Sequence, residues 1–228
     1  DFIYYLLMIK ACIFDLDGTL TDTVRTIAHF VNAETAKHGF PPAPVENFKY
    51  FAGDGARMLI HRVLAYHGVD DPDLETIILQ RYNAAYDADF LYLCTLYDGI
   101  ADMIHALHRQ GIQLAVLSNK PQPTAEKTIQ AFFGKETFSA VFGQRDGVPL
   151  KPDPAGAFEI LTLLGCETPE CLYIGDTAVD MHTGNNANLT TVGVLWGFRT
   201  REELEHAGAH HIIAHPADLL SLLEPSKN

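Results

Sequence analysis

Residues 12–20, Cys12-Ile13-Phe14-Asp15-Leu16-Asp17-Gly18-Thr19-Leu20, decide how the rest of the chain reads. The apolar run from Met8 to Phe14 has the character of a buried strand, and two carboxylates spaced i and i+2 stand at its end. Side chains alternate across a strand, so Asp15 and Asp17 point the same way. Gly18 lets the chain turn sharply just beyond them. Two aspartates held that close repel each other unless a cation or a shared proton relieves them. A carboxylate can also act as a covalent nucleophile and form an aspartyl-phosphate. The pattern points to one Asp that attacks, one that handles a proton, and a hard cation between them. An Asx-rich turn after a strand is the competing reading, and these nine residues alone leave both open.

The chain of 228 residues suits one ordinary domain, or a domain with a moderate insertion. Hydrophobic residues make up 47% and charged residues 20%, enough apolar material to bury a core. A net charge of −13 argues against nucleic acid or an anionic membrane as a general partner. It also sits awkwardly with an anionic substrate, so any phosphate site must be made locally positive by a cation, a lysine and backbone N–H groups. Cys12, Cys94, Cys166 and Cys171 show no CxxC spacing and read as reduced thiols of a cytoplasmic protein. Residues 1–7 are apolar, but they lack a basic flank and a cleavage site and are too short to span a bilayer. Met8 reads as a natural start, with 1–7 a non-native or misassigned segment; an extended first strand is the alternative.

Beyond Leu20 the pattern is helical. Thr21 to His38 closes at Gly39 and the breaker Pro41-Pro42-Ala43-Pro44, Asp54 to His67 closes at Gly68, and Asp73 to Phe90 opens after Pro72. No strand is expected between Thr21 and about Leu96. From there helices and strands alternate, with strands at Ile112 to Leu117, Ala140 to Phe142, Cys171 to Ile174, Thr190 to Leu195 and His211 to Ile213. Such alternation predicts an α/β fold, a Rossmann-like parallel sheet with helices on both faces. Residues 8–20 and 97–228 form the expected core, and 21–96 an inserted helical cap. Sheets of this kind bind ligands outside the carboxyl ends of their strands, where the insertion also begins.

Three later stretches should converge there. Ser118-Asn119-Lys120 follows the strand Leu114-Ala115-Val116-Leu117, and a hydroxyl and backbone N–H at a strand-to-helix turn can hold phosphate oxygens; an ordinary helix start fits equally well. In Lys151-Pro152-Asp153-Pro154, two prolines stiffen the segment around a lysine that can offset carboxylate and phosphate charge. Tyr173-Ile174-Gly175-Asp176 ends a strand in an Asp, and Asp180 stands one helical turn on. Asp176 can ligate Mg²⁺, which takes oxygen donors through one or two carboxylates. An N-capping Asp with a solvated Asp behind it is the competing reading.

Taken in order, Phe-Asp-Leu-Asp-Gly-Thr-Leu, Ser118-Asn119-Lys120, Lys151-Pro152-Asp153-Pro154 and Gly175-Asp176-Thr177-Ala178-Val179-Asp180 resemble the four motifs of the haloacid dehalogenase (HAD) superfamily. The resemblance runs from Met8 to about Leu223, and Asn188 to Phe198 and Ala209 to Leu220 look like its phosphoglycolate phosphatase branch. It implies that Asp15 is the nucleophile and Asp17 the general acid/base. Ser118 and the Asn119 amide would bind phosphate, and Lys151 would balance charge. The implied cofactor is Mg²⁺, held by Asp15, the Asp17 carbonyl and Asp176, with Thr19 and Asp180 supporting from behind. The acidic Asp17 argues against dehalogenation. Phe51 to Arg57 resembles the cap loop of phosphoglycolate phosphatases and β-phosphoglucomutases, implying Gly53 and Arg57 as substrate contacts, although an exposed helix arginine fits Arg57 as well. Tyr82, Tyr86, Phe90 and Tyr92 read as cap packing, and His61 and His67 show no metal-ligand spacing. The implied protein is a monomeric or homodimeric phosphatase of a small phosphorylated metabolite, phosphoglycolate phosphatase-like. A β-phosphoglucomutase-like mutase and a non-catalytic regulatory protein are the alternatives.

Overall fold

The computed structural model describes residues 9–223. Its first strand, β1 (Ala11–Phe14), is buried along its whole length, as a strand covered on both faces must be. Met8, where the expected strand begins, lies outside the described residues. After a two-residue strand β2 (Thr21–Asp22) come α1 (Val24–Ala36), a 3₁₀ turn (Val45–Asn47), α2 (Phe48–Phe51), α3 (Ala56–Tyr66), α4 (Pro72–Ala88) and β3 (Thr95–Leu96). The rest alternates: α5 (Ile100–Arg109), β4 (Gln113–Pro121), α6 (Gln122–Phe133), β5 (Ala140–Gln144), α7 (Ala155–Leu164), a 3₁₀ turn (Thr168–Glu170), β6 (Cys171–Gly175), α8 (Ala178–Asn186), β7 (Thr190–Val194), α9 (Arg201–His206), β8 (His211–Ile213) and α10 (Asp218–Leu223).

The main sheet has the order β5-β4-β1-β6-β7-β8, and every neighbouring pair is parallel. This is the expected α/β, Rossmann-like architecture. The period of two along the central strands sorts their side chains onto two faces. Cys12, Phe14, Leu114, Val116, Leu172 and Ile174 pack under α5, α6 and α10, with Ile100, Ile104, Leu107, Ile129 and Leu219. Ala11, Ile13, Ala115, Leu117, Cys171 and Tyr173 pack under α7, with Ala157, Ile160, Leu161 and Leu164. A one-residue slip of any central strand would exchange these sets, so the register is strongly specified.

Helices α1, α3 and α4 enclose an apolar cluster of their own, built on Ile27, Phe30, Val31, Phe48, Ile60, Val63, Leu64, Ile78 and Tyr82. Phe198, from the loop after β7, joins it from the sheet side. Asp71 caps α4, its Oδ1 accepting from the backbone N–H of Asp73 and Leu74 at 3.0 Å each, with Pro72 in the first turn.

Two expectations need correction. The segment from Thr21 to Leu96 is not strand-free: β2 and β3 pair antiparallel, Thr21 with Leu96 and Asp22 with Thr95, tying together the two chain crossings of the helical insertion. A ladder of two residues leaves no period to read. Strand β4 also runs on past Leu117 to Pro121, because its pairing with β5 shifts register between those residues instead of stopping. Such an irregularity re-aims side chains, and it does so at Ser118-Asn119-Lys120.

Helix α7 offers a test of which apolar side chains hold the sheet layer. Ile160 is 0% exposed and Leu163 is 57% exposed on the same helix. Ile160→Ala should lower unfolding stability by about 2–5 kcal/mol, whereas Leu163→Ala should stay within about 0.5 kcal/mol. Urea unfolding midpoints of the two variants decide it; equal losses would show that the face assignment is wrong.

Candidate active site

Register brings distant segments together. Phe14 is level with Val116 on β4 and with Ile174 on β6. Asp15-Leu16-Asp17, Ser118-Asn119-Lys120 and Gly175-Asp176 therefore emerge side by side at the carboxyl edge of the sheet. Gly18, at φ +90°, lets the chain turn over Asp176, and a Cβ there would collide with the Asp176 carboxylate.

Lys151 enters from the loop after β5. Its Nζ donates to Asp180 Oδ1 at 2.7 Å and lies 2.9 Å from Asp15 Oδ1. The approach to Asp15 is close enough for an ion pair but too oblique for a hydrogen bond, so Asp15 Oδ1 is a buried acceptor without a donor. Asp180 is not the solvated residue of the competing reading. It is fully buried, and its Oδ2 accepts from Thr177 N–H at 3.0 Å and Thr177 Oγ1 at 2.7 Å, closing a capping box at the start of α8. Asp176 accepts from Thr19 Oγ1 on one oxygen and from Phe198 N–H on the other, each at 2.8 Å. Trp196 Nε1 donates to the Thr19 carbonyl at 2.9 Å, so the loop after β7 braces Asp176 both directly and through Thr19.

One oxygen from each of Asp15, Asp176 and Asp180 lies within 4.8 Å of the others. Three buried carboxylates thus face one ammonium. Burial pushes the Asp15 carboxyl up to about 7 against the pull of Lys151, with Asp180 and Asp17 adding to the rise. Burial, then the charges of Asp180 and Asp15, hold Asp176 well above the usual carboxylate range. Burial works to discharge Lys151, but Asp15 and Asp180 outweigh it and keep it well above the usual lysine range. The donor set, all carboxylate oxygen with an excess of negative charge and one acceptor lacking a donor, fits a hard divalent cation. The Asp17 carboxylate is outside this cluster.

Above the carboxylates lies a cavity of about 230 Å³ between the sheet edge and the helical insertion. Asp15, Asp17, Ser118 and Asn119 line its floor, and Ile27, Leu59, Tyr82 and Tyr86 form much of its roof. Asn119 works with its side chain as well as its backbone. Its Oδ1 accepts from Lys151 N–H at 2.9 Å, while Nδ2 donates to the carbonyls of Lys151 and Gly53 at 3.2 Å each. Gly53 therefore does reach the site, through its carbonyl.

Arg57 does not. Its guanidinium pairs with Glu75 at 2.9 Å, its side chain is 64% exposed, and it is absent from the cavity wall. It opens α3 on the outer face, where an acidic neighbour on α4 captures it. Tyr82 and Tyr86 also need correction, since they pack the insertion and line the cavity at once. Phe90 and Tyr92 do pack, Phe90 against the insertion's apolar cluster and Tyr92 against His29 and Phe30. Sequence reasoning missed Lys120, whose Nζ donates to both Asp17 oxygens at 3.0 Å and to Tyr86 Oη at 2.9 Å. Its place directly after Ser118-Asn119 was the available signal.

Comparison with known proteins agrees with this architecture. A family profile described as haloacid dehalogenase-like hydrolase matches residues 12–194. The chain is 29% identical to the N-acetylmuramic acid 6-phosphate phosphatase of Pseudomonas aeruginosa, over 95% of each chain. It is 32% identical to a phosphoglycolate phosphatase of Pseudomonas fluorescens, over 83% of this chain and 70% of that one. A crystal structure from Lactobacillus delbrueckii subsp. bulgaricus, provisionally assigned as a phosphoglycolate phosphatase, superposes with a TM-score of 0.90 at 27% identity, covering 95% of this chain and 98% of that one. The match runs from within β1 to the end of β7, including the ends of β1, β4 and β6 and the loop that carries Lys151, and this chain belongs to the haloacid dehalogenase-like hydrolase family.

Proposed function

We propose that the chain is a Mg²⁺-dependent phosphomonoesterase acting on a small phosphorylated metabolite through an aspartyl-phosphate on Asp15. The observation that carries this reading is the position of Asp15: its carboxylate lines the cavity, sits against Lys151 and belongs to the three-carboxylate cluster. In the first half, an Asp15 oxygen attacks phosphorus while the ester P–O bond breaks. The leaving oxygen keeps the bond's electron pair and takes a proton from Asp17. In the second half, the Asp17 carboxylate takes a proton from a water whose oxygen attacks the same phosphorus. The bond to Asp15 breaks, releasing inorganic phosphate and restoring both groups. Mg²⁺ held by Asp15, the Asp17 carbonyl and Asp176, with Thr19 and Asp180 behind them, would offset the charge on the transferring group. Ser118 and the Asn119 N–H would hold its other oxygens, beside Lys151, so that catalysis is mostly positioning and charge stabilisation.

In this reading residues 8–20 and 97–228 are the catalytic core and 21–96 a cap that selects the substrate. The separate apolar cluster of α1, α3 and α4 supports that division. The similarity to phosphatases of N-acetylmuramic acid 6-phosphate and of phosphoglycolate supports a small organic phosphomonoester. Four buried cysteines, all unpaired, are in keeping with a reducing cytoplasm. Among the described residues no helix is long and apolar enough to cross a membrane.

Asp15→Asn should cut turnover by about a thousandfold or more while far-UV circular dichroism stays unchanged; near-normal turnover would remove Asp15 from the nucleophile's role. With Mg²⁺, a phosphate-release screen over phosphoglycolate, sugar phosphates, nucleotides and pyrophosphate should yield free phosphate. Phosphate moved to a new position with little release would make the protein a mutase, and no turnover at all would favour a non-catalytic role.

The carboxylate cluster predicts the pH dependence of the metal-free protein. The Asp15 carboxyl rises from 3.8 to about 7 on folding, so the folded state binds the extra proton between those values. Its contribution to stability is fully present below the lower value and is lost as pH rises through the upper one. In EDTA, Tm should therefore fall between pH 5 and pH 8, and Mg²⁺ should raise it more at pH 8. A Tm insensitive to both would count against cation binding at this cluster.

A further inference from the structure

We infer that Lys120 and Tyr86 are a positioning pair through which the helical insertion sets the Asp17 carboxylate against the leaving-group oxygen. The inference rests on the reading of Asp17 as the proton carrier and adds two residues to it, one of them outside the sheet. Lys120 Nζ spans both oxygens of Asp17 at equal distances of 3.0 Å, which fixes the plane of the carboxylate as well as its position. Among the described residues, no other side chain donates to Asp17.

A lysine is a flexible four-carbon arm, and alone it would be a poor jig. Tyr86 supplies what it lacks. Its hydroxyl accepts from Nζ at 2.9 Å, and Nζ lies 4.2 Å from the centre of its ring. The ring is itself held by Phe30 and Tyr82, with centroids 5.4 and 5.7 Å away. One residue further along α4, Asp87 accepts from Thr124 Oγ1 at 3.0 Å and pairs with Lys127 at 2.7 Å, both on α6. This seam docks the end of α4 onto the core and delivers Tyr86 to Lys120. The Lys120 side chain is nearly buried, and taking an ammonium out of water is costly unless its partners are well placed. Those partners are a catalytic carboxylate and a residue of the insertion, both lining the cavity. An undocked insertion would free Lys120 to swing, and Asp17 with it.

Leaving-group dependence separates this role from general support of the fold. An alkoxide needs a proton to depart, whereas p-nitrophenolate does not. With Mg²⁺-loaded enzyme, kcat would be measured on the best alkyl phosphomonoester from the screen and on p-nitrophenyl phosphate. Lys120→Met should shift the ratio of the two against the alkyl ester by about tenfold to a hundredfold, and Tyr86→Phe, which keeps the ring, by about threefold to tenfold. Lys120→Arg should recover part of the ratio, since a guanidinium can grip a carboxylate with two hydrogen bonds. Asp17→Asn sets the largest shift attainable. If Asp17→Asn shifts the ratio and Lys120→Met and Tyr86→Phe do not, or lower both rates equally, the positioning role is overturned while the role of Asp17 stands. If Lys120→Met fails to fold, Tyr86→Phe alone decides. A ratio unmoved by Asp17→Asn would overturn the reading of Asp17 and this inference with it.

Discussion

Three buried carboxylates held against one buried ammonium are the constraint on which the rest of this structure depends. Asp15, Asp176 and Asp180 crowd three carboxylates into one space, and among the described residues Lys151 is the only cation paired with them. Most proteins avoid such an arrangement, because removing charges from water costs several kcal/mol per ion even after relaxation. Here the carboxylates are held by groups from different elements: Thr19 and Phe198 donate to Asp176, Thr177 and Lys151 donate to Asp180, and Lys151 forms an ion pair with Asp15. The cluster is kept under electrostatic strain by its surroundings, and the family's hydrolytic chemistry needs a site where added positive charge is strongly favoured.

The sheet makes that possible. Parallel strands covered on both faces allow no register slip, so the ends of β1, β4 and β6 are fixed relative to one another. The close approaches above them leave no room for side chains. Gly18 passes against the Asp176 carboxylate, and Gly197 fits between Asp176 and the Gly18 carbonyl. Apolar packing below and backbone proximity above together hold the polar groups within hydrogen-bond reach.

The helical insertion is joined to this rigid base through specific polar contacts as well as through its own apolar core. Asn119 reaches the Gly53 carbonyl, Lys120 reaches Tyr86, and Asp87 reaches Thr124 and Lys127. Arg199, beside Phe198, donates to the Lys49 carbonyl and lies over the Tyr50 ring. Groups of this kind can be exchanged for water at modest cost, in contrast to the apolar contacts within either layer. The seam also runs through residues that touch the carboxylates, so the two layers share the site.

Much of this was legible in the chain alone. Alternating helices and strands specified a covered parallel sheet, and the strand ends and the segments just after them named Asp15, Asp17, Ser118, Asn119, Lys151, Asp176 and Asp180, which do meet. These are local signals: a carboxylate after an apolar run, a lysine ahead of two prolines, a Gly-Asp at a strand terminus. What only the tertiary structure decided depends on pairs far apart in sequence. Lys120 and Tyr86 are brought together by the docking of α4 on the core, and Phe198 reaches Asp176 by a loop from a different strand. Arg57 shows the converse, since a cap-loop arginine aligned by resemblance turns outward once α4 places Glu75 beside it. Sequence determines which groups are available at a strand end, because strand periodicity is local. Which partner each group finds is decided by how separate layers dock, and no local period carries that information.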